Sequence, residues 1–121
     1  MKHFAIGLIA CILISGCSMA VNYVPKSSNI NIRKPSSHPI EVFQMNEDVP
    51  GKYIVLGSVS VGDGGMTMKC GYDDVINAAQ EKAKNVGGDA IQIIQIKEPN
   101  YIMTSCYNLI ANVLMIKNAV N

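Results

Sequence analysis

The stretch Asp73-Asp74-Val75-Ile76-Asn77-Ala78-Ala79-Gln80-Glu81-Lys82-Ala83-Lys84-Asn85-Val86-Gly87-Gly88-Asp89-Ala90-Ile91-Gln92-Ile93-Ile94-Gln95-Ile96-Lys97 decides the fold of this chain. Val75, Ala79, Ala83 and Val86, flanked by Ile76, recur at helical spacing, while Asn77, Gln80, Glu81, Lys84 and Asn85 take the opposite side. An amphipathic helix over 74–86 is therefore expected, with Asp73 as its N-cap. Gly87-Gly88 supplies a left-handed stop. The period then changes, and Asp89 to Lys97 reads as a strand.

Working outward, 53–61 is β-branched and uncharged, with Val55, Val59 and Val61 on one side, and reads as a buried strand. Before it, Pro50-Gly51 marks a turn and Ile40-Glu41-Val42-Phe43 a short strand. The last strand is expected over 108–117. It is apolar on both faces, since Leu109, Ala111, Val113 and Met115 alternate with Ile110, Leu114 and Ile116. The expected architecture is a small α+β domain over 39–121: a four-stranded sheet in the chain order β-β-α-β-β, with one helix packed on one face. One helix covers one face only. Ile110, Leu114 and Ile116 are therefore expected on the other, which loops, the tether or a partner must cover, and they are the candidate partner-binding residues.

Residues 17–38 read as a flexible tether. They are polar, punctuated by Pro25 and Pro35, and show no sustained apolar period. Fully extended, they would reach about 70 Å. Ahead of them, Met1-Lys2-His3 and an apolar run from Phe4 to Ile14 resemble a signal peptide over 1–16, too short to span a membrane. The run closes on Leu13-Ile14-Ser15-Gly16-Cys17, which resembles the lipobox of bacterial lipoproteins. That resemblance implies lipid on the Cys17 thiol, cleavage before it and acylation of the new terminus, with palmitate among the expected modifications. Ser18, where an aspartate would resemble the inner-membrane retention signal, points to the outer membrane, facing the periplasm.

Removing the leader takes Lys2, one of ten basic residues, and leaves nine against nine acidic ones. That balance offers no electrostatic case for nucleic acid. Of the four cysteines, Cys11 leaves with the leader and Cys17 takes the lipid, so Cys70 and Cys106 remain. In an exported protein such a pair reads as a disulfide. It would close a loop of about 37 residues, for roughly 3.8 kcal/mol of stabilisation in the chain-entropy model. The alternative is a redox-active pair, although the spacing is not that of Cys-x-x-Cys.

The sequence supplies no positive argument for an enzyme. His38 has no Cys or His neighbour at ligand spacing. Asp73 and Asp74 point to different sides of a helix and read as an N-terminal cap plus a dipole-favourable charge. Gly62-Asp63-Gly64-Gly65 is followed by no Gly-Lys-Ser/Thr and reads as a turn. Met66, Met68, Met103 and Met115 lack a copper-cluster spacing. No metal and no cofactor is expected.

Several motifs resemble the outer-membrane sensor lipoproteins of the Rcs phosphorelay. They are Pro39-Ile40-Glu41-Val42 with Pro50-Gly51-Lys52, Leu56-Gly57-Ser58-Val59-Ser60 running into a loop with Cys70, the Ala-Lys helix leading to Asp89-Ala90, and Ser105-Cys106-Tyr107. The stretch Ala83 to Ala90 is also similar to YbjQ-like small α/β domains. The Rcs resemblance implies a Cys70–Cys106 disulfide and a domain over about 39–117. The sensor family carries a second disulfide, for which no cysteines remain here. The expected role is that of a non-enzymatic, membrane-anchored envelope lipoprotein that binds an outer-membrane or periplasmic protein, with envelope stress sensing as its context. A thiol–disulfide component and a small-ligand-binding lipoprotein are the rival expectations.

Overall fold

The computed structural model describes residues 19–26, 34–62, 70–99 and 106–117. They form strands β1 (Ala20–Pro25), β2 (Glu41–Phe43), β3 (Lys52–Gly62), β4 (Ala90–Lys97) and β5 (Asn108–Lys117), with one helix, α1 (Tyr72–Asn85), between β3 and β4. The domain is α+β, with a mixed sheet in the order β1-β3-β5-β4-β2. β3 pairs antiparallel with β1 and with β5, β5 antiparallel with β4, and only β2 runs parallel to its neighbour β4.

The sheet has five strands, not four. The extra one, β1, lies inside the segment 17–38 expected to be a tether, and pairs from Ala20↔Gly62 to Pro25↔Gly57. Its pairing rests on backbone hydrogen bonds, which composition does not reveal. Pro25, with no N–H to give, is tolerated because β1 is an edge strand. Residues 34–38 are also held. The Ser36 N–H donates to the Lys84 carbonyl at 2.9 Å, and its hydroxyl donates to the Gly88 carbonyl at 2.6 Å.

α1 starts two residues before the expected position. Gly71 is its N-cap, and the Asp74 carboxylate reaches back to accept the Gly71 N–H at 3.0 Å. Asp73 lies in the first turn, where a negative charge suits the helix dipole. At the other end Gly87 takes φ 82°. The Gly88 N–H reaches the Ala83 carbonyl at 2.8 Å and the Gly87 N–H reaches Lys84 at 3.1 Å, a Schellman closure.

The main core lies between α1 and the sheet. Val75, Ile76, Ala79 and Ala83 pack against Leu56, Val59, Val61, Ile91, Ile93, Leu109, Ala111 and Val113. Burying each of the larger side chains is worth about 1.5–3 kcal/mol. A bulge in β3 between Val55 and Gly57 shifts the alternation. Leu56 therefore joins Val59 and Val61 in this core. Val55, expected on the same side, turns to the opposite face.

There it belongs to a second cluster of Phe43, Ala90 and Leu114, completed by Val49 and Ile116. The β2–β3 connection supplies Val49 and is folded down by a turn at Asn46 (φ 66°), whose Glu47 carbonyl accepts from Gln92 Nε2 at 2.7 Å. This connection covers one half of the second face, the face opposite α1. Leu114 has no exposed surface, which corrects its expected place as a partner-facing residue.

Candidate functional site

The other half of the second face stays open, and most of its side chains are polar. Two cross-strand rows run over it: Asn22, Ser60, Ile110 and Gln95, then Val24, Ser58, Asn112 and Gln92. An open groove of about 390 Å³ lies over the first row, lined by Ala20, Asn22, Ser60, Gln95, Lys97, Asn108 and Ile110 among others. Asn22, Gln95 and Asn108 bring amides, Ser60 a hydroxyl and Lys97 a cation. Of the three expected partner-facing residues, Ile110 and Ile116 are half-buried and only Ile110 borders this groove.

β1 provides the second feature. It lies at the edge of the sheet, so one side of its backbone is unpaired by any described strand. The strand carries no charge, and Val21 and Val24 are 37% and 66% exposed. An uncharged, unbulged edge of this kind is a template for another strand. The inner side of β1 is held by Tyr23. Its ring lies 5.9 Å beneath the Lys82 ammonium and over Gly57, where an added methyl would stand 2.5 Å from the Tyr23 hydroxyl and 2.6 Å from the Val24 carbonyl oxygen. Burial pushes the Tyr23 hydroxyl above its ordinary value of 10.0.

His38, read as isolated in the sequence, pairs with Asp89 at 2.8 Å. The other Asp89 oxygen accepts the Ile116 N–H at 2.8 Å, and the Asp89 N–H donates to the Leu114 carbonyl at 2.7 Å. The pair ties the segment before β2 to the β4–β5 end of the sheet. Sequence reasoning missed it because the residues meet only through the parallel pairing of β2 with β4. Among the described residues, no group of three or more His, Cys, Asp or Glu could hold a metal ion.

Cys70 and Cys106 form a disulfide with Cα atoms 5.0 Å apart. Both residues are buried, at 5% and 1% exposure, beside an edge-to-face pair of Tyr72 and Tyr107. The Tyr107 N–H donates to the Cys70 carbonyl at 3.1 Å, so the backbone supports the same junction.

The proposed signal peptide, Cys17, Ser18, residues 27–33, the Asp63-Gly64-Gly65 turn and Met66, Met68 and Met103 lie outside the described residues. Among those described, no helix is long and apolar enough to cross a membrane. No protein-family model, curated protein or solved structure matches the chain.

Proposed function

We propose that this chain is a lipid-anchored envelope protein that works by binding another envelope protein rather than by catalysis. The open edge of β1 carries this reading. It presents a six-residue uncharged strand with two exposed valines, and the natural occupant of such an edge is an extended segment of a partner. Main-chain hydrogen bonds would supply affinity, with side-chain contacts at Val21 and Val24 supplying selectivity. The docking surface is thus the β1 edge, at Val21 and Val24. Anchorage through Cys17 and an outer-membrane location rest on the lipobox resemblance, and a stress-sensing context on the resemblance to the Rcs sensors.

The burial of Cys70 and Cys106 favours a structural disulfide over a cycling one, since exchange requires a thiolate to reach a sulfur atom. A photo-crosslinking side chain at Val21, with Lys52 as a control position, tests the binding reading in cells. Capture of one envelope protein from Val21 alone, lost when Val24→Lys places a charge on the edge, is the expected result. Equal capture from both positions, or none from Val21 in correctly exported protein, would overturn it.

A further inference from the structure

We infer that the groove over Asn22, Ser60, Gln95 and Asn108 rests on the phospholipid headgroups of the membrane that holds Cys17, an inference that depends on the lipid-anchor reading. The first argument is length. Ala20 opens β1 only three residues after Cys17, so the two Cα atoms are at most about 11 Å apart. A lipidated Cys17 therefore holds the domain against the bilayer instead of lifting it on a spacer. It also selects one end of the sheet. Ala20 pairs with Gly62, and Lys97 with Asn108, so the start of β1, the ends of β3 and β4 and the start of β5 share that end. Lys52 and Lys117 pair at the other end, about 30 Å away along the ten-residue β5.

The second argument is chemistry. The groove lies at the anchored end, and its lining offers the amides of Asn22 and Gln95, the Ser60 hydroxyl and the Lys97 ammonium, while the Asn108 side-chain amide N–H also donates to the Cys106 carbonyl at 3.5 Å. Among the described residues no carboxylate lines it; Glu98, exposed next in the chain, is not in the lining. Amide and ammonium donors match the phosphodiester and ester oxygens of a headgroup layer. Tethering makes the contact effectively intramolecular, so weak individual hydrogen bonds suffice.

The test uses isotope-labelled full-length protein processed in cells, placed in nanodiscs containing a small fraction of a gadolinium-chelating headgroup lipid. Mass spectrometry of the mature amino terminus is recorded first. Amide signals of Ala20, Ser60, Lys97 and Asn108 should broaden several-fold more than those of Lys52 and Lys117. Lys97→Glu should reduce that difference. Lipid on Cys17 with uniform broadening, or broadening strongest at Lys117, overturns the docking inference and leaves the anchor intact. Lipid on Cys17 with graded broadening that is unchanged by Lys97→Glu removes the groove from the contact. An unlipidated mature terminus overturns the anchor reading together with the inference.

Discussion

Replacing Leu114 with alanine tests whether the β2–β3 connection closes the second face of the sheet. Leu114 has no exposed surface and sits with Val55, Ala90 and Phe43. The substitution removes three buried carbons, about 2.4 kcal/mol of transfer free energy at ~0.8 kcal/mol each. The cavity left behind adds to this, because Phe43 is fixed in β2 and cannot follow freely, giving a total of about 3–4 kcal/mol. Ile110→Ala removes the same number of carbons from a half-buried site and should cost about 1 kcal/mol. Urea unfolding with the disulfide intact separates the two. At a slope of about 1 kcal/mol/M, Leu114→Ala should lower the midpoint by ~3 M and Ile110→Ala by ~1 M. Equal midpoints for the two variants would refute the reasoning, since an open second face exposes both residues alike. The same numbers govern binding studies: loss of a partner in a Leu114 variant reports unfolding, not a lost contact.

Gly57→Ala should loosen β1, because the new methyl would meet the Tyr23 hydroxyl and the Val24 carbonyl. A cost of about 1–3 kcal/mol and faster hydrogen exchange confined to β1 amides are expected. Replacing Cys70 and Cys106 together by alanine should cost roughly 3.8 kcal/mol, read as a fall in thermal midpoint that reductant reproduces in the parent protein. Above pH 10 the folded Tyr23 retains its proton while the unfolded residue loses it, so the unfolded chain binds fewer protons and stability falls as pH rises. Tyr23→Phe should flatten that part of the alkaline stability profile, and an unchanged slope would show that burial of this hydroxyl does not matter.

α1, β3, β4 and β5 were legible in the sequence because each buries side chains at a regular period. β5 spans the expected 108–117, and the helix-facing residues Val75, Ala79 and Ala83 are all buried. β1 was not legible. It is six residues long, ends in proline and takes its place through backbone pairing and one tyrosine. The second cluster was hidden for another reason. A single extra residue at Leu56 moves Val55 to the far face, and no periodicity signal marks a bulge. The open groove was equally hidden, since its amides come from β1, β4 and β5 and become neighbours only through the sheet order.

The Cys70–Cys106 bond also bears on how quickly the sheet assembles. Within the sheet only β4 and β5 are both neighbours in the chain and partners in space; β3 finds β5 across α1 and β4. The pair Val61↔Leu109 closes a loop of 48 residues. Once the disulfide has formed, the path between them runs through Cys70 and Cys106 and shortens to about a dozen residues. Loop-closure entropy then drops by roughly 1.2 kcal/mol, an increase of about eightfold in the chance of encounter. Long-range strand pairing is the slow part of folding in proteins of this topology. Oxidation before β3 meets β5 therefore shortens the time the apolar β5 spends exposed, and a chain folding without an oxidant should fold late and aggregate first through that strand.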